Sequence, residues 1–287
     1  KPPGKLLKSA HAVDRECRVM TALHDTDVPV PKTFGYCDDE TIIGTPFFVM
    51  DHVIGNIYWE LLLPGCDPNQ RREIYLSMND TIAKLHNVDF DKVNLADYGK
   101  HENYMDRQIH RWTKQYKDSE TQMIPEINEL IEWLPKNIPS DQETSIVHGD
   151  FRLDNMIFDP ITHEVKAILD WELSTLGNPI ADFTYHMMSW RLPAGAKGLG
   201  MMGSDLKSLN IPSESEYAEL YYKKTGREKI DNWDFYMAYN IFRLAGIAQG
   251  IVGRVRDGTA SSSEAKNYEA FVPILGKLGW SIVEGIK

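Results

Sequence analysis

Ile146-Val147-His148-Gly149-Asp150-Phe151-Arg152-Leu153-Asp154-Asn155-Met156-Ile157-Phe158 and, a short step on, Ala167-Ile168-Leu169-Asp170-Trp171-Glu172 are the stretches whose reading decides the fold. An apolar strand enters, a polar loop holds Asp150 and Asn155, and an apolar strand leaves. A second apolar strand then ends at Asp170. Short buried strands with carboxylates at their ends pin charged groups at a cleft edge without burying them unpaired.

The residue types in that loop suit one chemistry. Moving a phosphoryl group from ATP needs a carboxylate that accepts or orients the proton of the attacking hydroxyl, and hard oxygen ligands that hold magnesium against the phosphates. Asp150 suits the first task. The Asn155 amide oxygen and the Asp170 carboxylate suit the second. Glu172 offers a further carboxylate, directly or through water, with a structural role equally open. The offset from Asp150 to Asn155 is that of the protein-kinase catalytic loop, where Asp is the base and Asn a metal ligand. Around these residues the expectations are plainer. His148 holds the loop by hydrogen bonds, Arg152 balances nearby carboxylates, Asp154 organises the turn, and Asp182 braces the loop from the helix behind it.

Working outward, Ser9 is read as the cap of a helix running to about Leu23, with Val13, Cys17, Met20 and Leu23 at helical spacing. Asp27-Val28-Pro29-Val30-Pro31 breaks it, because each proline fixes its own backbone and restricts its predecessor. Strands are expected over 33–37 and 46–53, with Asp38, Asp39 and Glu40 as the turn between them. Asp67 caps a helix that starts on Pro68 and runs to about His86. Further helices are expected near 102–118, 124–136, 178–190, 213–225, 231–253 and 263–285, and short strands at 144–147, 156–158 and 165–169. Residues 174–179 are read as turning straight into a helix. His86 sits near a helix end, where a cation is mildly favoured. The Gly246 and Gly250 spacing in an apolar helix means close packing.

HGDFRLDN followed by LDWE resembles the aminoglycoside phosphotransferase and choline kinase-like family, a branch of the kinase fold. More narrowly, SAHAVDRE, TDVPVPKTFGYC, GTPFFVMDHVIG and LDWELSTLGNPIAD are similar to the phosphotransferase-like domain found with acyl-CoA dehydrogenases. The resemblance covers nearly the whole chain. It implies an α+β, protein-kinase-like fold of two lobes: a small β-containing N-lobe over 1–54, a hinge at about 51–55, and a large, mostly helical C-lobe over 56–287. It makes Asp150 the base and Asn155 and Asp170 the magnesium ligands. Glu16 takes the place of the residue that pairs with a phosphate-binding basic group. Met50, Asp51 and Val53 fall in the hinge, whose backbone bonds the adenine edge. The family's nucleotide-covering loop and its basic residue are expected ahead of this sequence, with Lys1 the nearest candidate for the basic role. No platform for a peptide substrate follows Asp170, which points to ATP, Mg2+ and a small-molecule hydroxyl.

The rest of the sequence sets bounds. A net charge of -11 and no long Lys/Arg run argue against a nucleic-acid partner. Cys17, Cys37 and Cys66 form no CxxC pair, so neither a zinc site nor a disulfide framework is suggested. No segment is apolar over the length a bilayer needs. An intracellular, by default cytoplasmic, location follows. The sequence opens at Lys1-Pro2-Pro3-Gly4 without a methionine, which leaves mitochondrial and peroxisomal locations open. Oligomeric state is unread.

For substrate, a hydroxyacyl compound or its CoA thioester comes first, by analogy. An aminoglycoside or choline-like amine is the alternative, and a catalytically silent scaffold module is a second. Arg107, Arg111, Trp112 and Tyr116, with Arg191 and Arg243, are candidates to greet an anionic or acyl substrate. Tyr217, Tyr221, Tyr222, Trp233, Phe235, Tyr236 and Tyr239 could supply an aromatic cage for an amine.

Overall fold

The computed structural model describes residues 12–140, 143–195, 198–230, 232–259 and 268–286. They fall into two compact units, one within Lys1–Lys100 and Thr144–Lys229, the other within His101–Glu143 and Ile230–Lys287. Helices and strands are numbered in chain order across both.

The first unit opens with α1 (Val13–Leu23), which buries Cys17, Val19, Met20 and Leu23 and has no side-chain cap at Ala12. The expected cap, Ser9, lies outside the described residues. β1 (Thr33–Cys37) and β2 (Phe47–Met50) form an antiparallel pair, with Cys37 opposite Phe47 and Thr33 opposite Met50. The turn expected at 38–40 is instead the start of a one-turn helix, α2 (Glu40–Ile43), because the Asp39 side chain accepts from the Thr41 amide at 2.9 Å. α3 (Pro68–His86) starts where its sequence says. The Asp67 carboxylate takes the Asn69 and Gln70 amides, Gln70 returns a bond to the Asp67 amide, and Pro68 occupies the first turn.

Three short strands follow the reading and one does not. β3 (Ser145–Val147), β4 (Met156–Phe158) and β5 (Val165–Ile168) are all present, with β4 and β5 an antiparallel hairpin. Residues 174–179 do not pass directly into a helix: Thr175–Gly177 is β6, and it pairs with β3. The signal was too short to read, three residues that pair with a strand about 30 positions upstream. Only then does α6 (Pro179–Met187) begin, capped by Asn178 on the amides of Ile180 and Ala181. α7 (Leu206–Leu209) and α8 (Glu214–Thr225, capped by a Ser213–Glu216 box) complete the unit.

Its core is aromatic. Phe183 stacks on Tyr221 with ring centroids 3.8 Å apart, and Tyr217 packs on the same ring and against Trp190. Tyr217 and Tyr221 are thus core residues, and the cage expected of them does not form there. Arg191 is committed to Glu214 through a two-pronged ion pair at 2.7 and 2.9 Å.

His186, buried in this core against Tyr217, Trp190 and Phe151, has its imidazole pushed down to about 4 by burial, against the pull of the Asp182 charge. Above pH 6.5 the ring is neutral folded or unfolded. As pH falls toward 4 the unfolded chain takes up a proton that the folded chain refuses, so stability is lost, by about 3 kcal/mol over that window. A His186→Phe variant should therefore show a flatter dependence of melting temperature on pH between 6.5 and 4. Superimposable acid limbs would refute this.

The second unit is helical: α4 (Tyr104–Ser119), α5 (Pro125–Trp133), α9 (Trp233–Arg256) and α10 (Phe271–Ile286). The glycines of α9 bring it onto α4. Gly246 faces Trp112, Gly250 faces Gln115, and a side chain at Gly253 would meet the Ser119 Cβ at 2.8 Å. Trp112 and Tyr116 are buried on that seam, whereas Arg111 is exposed, so the expected substrate-facing stripe is split between core and surface. Arg243 is buried too, its guanidinium 5.4 Å from the Trp112 ring centre. Phe235, Tyr236 and Tyr239 are buried. Among the described residues no helix is long and apolar enough to cross a membrane.

Candidate functional site

The loop after β3 is built around Gly149 and Asp182. Gly149 stands at φ +82°, and a Cβ there would come within 2.7 Å of the Leu173 carbonyl, so both conformation and space require glycine. The two amides this turn exposes, those of His148 and Gly149, donate to the two oxygens of Asp182 at 2.8 Å each. Asp182 is fully buried, and burial works against its charge. The His86 hydrogen bond and the nearby His86 and His148 nevertheless hold its carboxyl below the usual range. His86 Nε2 lies 3.2 Å from Asp182 and its Nδ1 2.7 Å from the Tyr221 hydroxyl. The expected brace is in place, and His86 is part of it.

His148 fixes the loop from within. Its Nδ1 accepts the Asp150 amide at 3.2 Å, which puts the ring proton on Nε2, where it donates to the Leu169 carbonyl at 2.9 Å. Arg152 and Asp154 pair with each other, with Nε–Oδ1 at 3.0 Å.

Asp150 and Asn155 come together. The Asn155 amide nitrogen donates to the Asp150 carbonyl at 2.9 Å and to its Oδ2 at 3.1 Å, while the Tyr185 hydroxyl donates to Oδ1 at 2.8 Å. Both carboxylate oxygens are thereby oriented, and each keeps a lone pair. Because the Asn155 NH2 is spent on Asp150, its amide oxygen is the end left for a cation. Tyr185 escaped the sequence reading; the available signal was its place one helical turn after Asp182, on the same face of α6.

Asp170 does not end a strand. β5 stops at Ile168, the Leu169 amide donates to the Asn155 carbonyl at 2.8 Å, and Asp170 itself turns into the left-handed region at φ +63°. Asp is among the few non-glycine residues that tolerate this, and such conformations gather at functional sites. The Leu169–Asn155 bond ties the segment carrying Asp170 to the residue that shares its expected task.

Glu16, half-buried on α1, joins the same electrostatic neighbourhood. Its carboxyl is pushed up to about 7, by burial first and then by the negative charges of Asp170 and Glu172. Asp170 and Glu172, with an amide oxygen from Asn155, are hard-oxygen donors of the kind a divalent cation takes, and such a cation would offset the negative charge that Glu16 feels. The residues fit Mg2+, although among the described residues no group of three or more His, Cys, Asp or Glu is drawn tightly enough to form a ready-made cluster.

In the hinge segment Met50 is exposed, and the Asp51 amide is taken by the Lys32 carbonyl at 2.8 Å. The Asp51 carbonyl and the Val53 amide make no backbone bond among the described residues, so they are the groups that could meet a nucleobase edge. Lys1 lies outside the described residues.

Comparison with known proteins bears on the family and the fold. The sequence pattern described as the phosphotransferase enzyme family matches residues 1–219. The chain is 46% identical over 281 residues to acyl-CoA dehydrogenase family member 10 of Mus musculus, covering 98% of this chain and 26% of that protein. Among solved structures, a candidate aminoglycoside phosphotransferase from Ralstonia eutropha is 49% identical and superposes with a TM-score of 0.92, covering 96% of this chain and 84% of its own. An aminoglycoside-3'-phosphotransferase of type VIII shares the fold at a TM-score of 0.56 and 15% identity, covering 83% of this chain and 80% of its own. The chain thus spans about a quarter to a third of the acyl-CoA dehydrogenase family members it matches, and with its kinase-like α+β fold it belongs to the phosphotransferase enzyme family.

Proposed function

We propose that the chain transfers the γ-phosphoryl group of ATP, with magnesium, to a hydroxyl of a small molecule. The observation that carries this is the Asp150 carboxylate, fixed on both oxygens by Asn155 and Tyr185 and half-buried at the end of a loop braced by Asp182. In the reaction Asp150 accepts the proton of the attacking hydroxyl as the new O–P bond forms and the bond to the leaving ADP breaks. Asn155 and Asp170, with Glu172 as a further carboxylate, would hold the metal, which supplies charge neutralisation on the phosphates. The Asp51 carbonyl and Val53 amide would hold the adenine edge, with the lobe boundary at about 51–55. Glu16 would face a phosphate-binding basic residue, the role for which Lys1 is the nearest candidate.

For the acceptor, a hydroxyacyl compound or its CoA thioester is favoured, because the relatives that match this chain along almost its whole length carry acyl-CoA dehydrogenase names. An intracellular location belongs to the same proposal.

The test is a screen of hydroxylated metabolites with ATP and the full chain, reading phosphorylated product by mass, beside melting curves with ATP in the presence and absence of Mg2+. Magnesium-dependent stabilisation by ATP is expected in the parent protein. In Asp170→Ala the magnesium dependence should disappear. If ATP with Mg2+ leaves the melting temperature unmoved, the scaffold reading replaces the enzymatic one.

A further inference from the structure

Asp170 and Glu172 stand on a tight turn that packs directly against α1. Trp171, between them, is buried, and the Ser174 amide closes the turn on the Trp171 carbonyl at 3.0 Å. A second turn, residues 94–99, touches both this one and α1. Its Gly99 lies so close to β6 that a Cβ would come within 2.7 Å of the Leu176 amide. On the other side Arg18 of α1 donates to the Asn94 carbonyl at 3.0 Å and pairs with Asp97.

Arg15 joins all three segments. Its guanidinium lies over the buried Tyr98 ring, 4.2 Å from the ring centre, and its Nη2 donates to the carbonyls of Tyr98 at 2.8 Å and Ser174 at 3.3 Å. Proton counting sets the direction of the bonds that follow. The Ser174 hydroxyl gives its proton to the Trp171 carbonyl at 2.6 Å, so it can only accept from the Tyr98 hydroxyl, also 2.6 Å away. The chain of bonds runs from Tyr98 through Ser174 to Trp171, the residue between the two carboxylates.

This arrangement answers a physical difficulty. Glu16 follows Arg15 on α1, and its carboxyl is pushed up by burial and then by the charges of Asp170 and Glu172. Acidic groups on both sides oppose the approach of α1 and the turn. Among the described residues Arg15 hydrogen-bonds no carboxylate; its side-chain donors go to main-chain carbonyls. It draws the turn toward α1 without itself occupying the acidic oxygens. Asp170, at φ +63°, has the kind of backbone conformation that persists only where the surroundings over-determine it.

We propose that Arg15 and Tyr98 are positioning residues for the divalent cation: acting through Ser174 and Trp171, they fix the turn that carries Asp170 and Glu172. The inference rests on the proposed metal role of those two carboxylates and names what sets their place.

The test titrates Mn2+, which takes the same oxygen donors as Mg2+, against the full chain without nucleotide, reading free Mn2+ by electron paramagnetic resonance. The parent should bind the ion and Asp170→Ala should lose it. Tyr98→Phe removes one hydroxyl and keeps the ring beneath Arg15. Arg15→Met keeps an unbranched stem over that ring and loses both bonds. Each is expected to weaken Mn2+ by about tenfold or more, the lower end of the range for groups that orient metal ligands. The sign separates positioning from charge, because removing a cation beside acidic groups would by electrostatics alone tighten Mn2+. Melting curves without metal show whether each variant is folded, and Tyr98→Phe carries the test should Arg15→Met not be. Unchanged or tighter Mn2+ binding in Tyr98→Phe, or in folded Arg15→Met, overturns the proposal and leaves the metal site standing. A parent that binds no Mn2+, or Asp170→Ala binding it equally well, removes the metal reading and this proposal with it.

Discussion

An Asp150→Asn variant is expected to lose about 10²- to 10⁴-fold in turnover while binding nucleotide nearly as before. The neighbours explain why this substitution isolates the chemistry. One oxygen of Asp150 accepts from the Asn155 amide and the other from the Tyr185 hydroxyl. In the variant the new NH2 can occupy the side facing Tyr185, because a hydroxyl can turn and accept where it formerly donated. The remaining oxygen then keeps its bond from Asn155. The loop survives, the backbone bond from Asn155 to residue 150 survives, and the proton-accepting capacity is gone. A melting temperature close to the parent's, with turnover measured from phosphorylated product, would separate lost chemistry from lost structure. Turnover within a few fold of the parent would remove Asp150 from its role.

The parts of this site that were legible in the sequence are those written in consecutive residues. Asp150 and Asn155 share one loop, and the hydrophobic strands around them announce themselves by composition, so their meeting could be foreseen. The cap at Asp67 was equally readable, since a capping residue directly ahead of a proline is a local helix-start pattern, whereas the Ser213–Glu216 box, although equally local, went unread. What stayed hidden depends on long-range contact. Nothing local marks His86 as the partner of a carboxylate 96 positions later, or Tyr185 as the second donor to Asp150. The left-handed turn at Asp170 was hidden too, because an apolar run into a carboxylate looks the same whether the backbone stays extended or reverses. Trp112 and Tyr116 misled for a related reason. On a helix they lie near Arg107 and Arg111, and only the glycines of α9 decide that the aromatics are buried and Arg111 is left in water. The late tyrosines likewise read as a cage or as core with equal ease until Phe183 supplies the ring they stack on.

Replacing Asp182 should cost more stability than any surface change, and the asparagine variant should not rescue it. Each oxygen of this carboxylate faces a buried backbone N–H: that of Gly149 on Oδ1, and that of His148 on Oδ2, where His86 also approaches. Asp182→Ala strips all three groups of their acceptor in a fully buried place and is expected to destabilise the chain by about 3–5 kcal/mol, the scale of a broken buried ion pair. Asp182→Asn keeps the shape, yet whichever way the amide turns, its NH2 must point at one of two backbone N–H groups that cannot turn away. That leaves a buried donor facing a donor, costing about 1–3 kcal/mol beyond the lost charge. Because the same two amides set the curvature of the loop that presents Asp150, both variants should also lose turnover. A brace acting through charge alone would predict a different order, with asparagine and alanine equally damaging. Denaturant midpoints for the two variants decide between these accounts. An asparagine variant as stable as the parent would mean that the loop amides find their acceptor elsewhere.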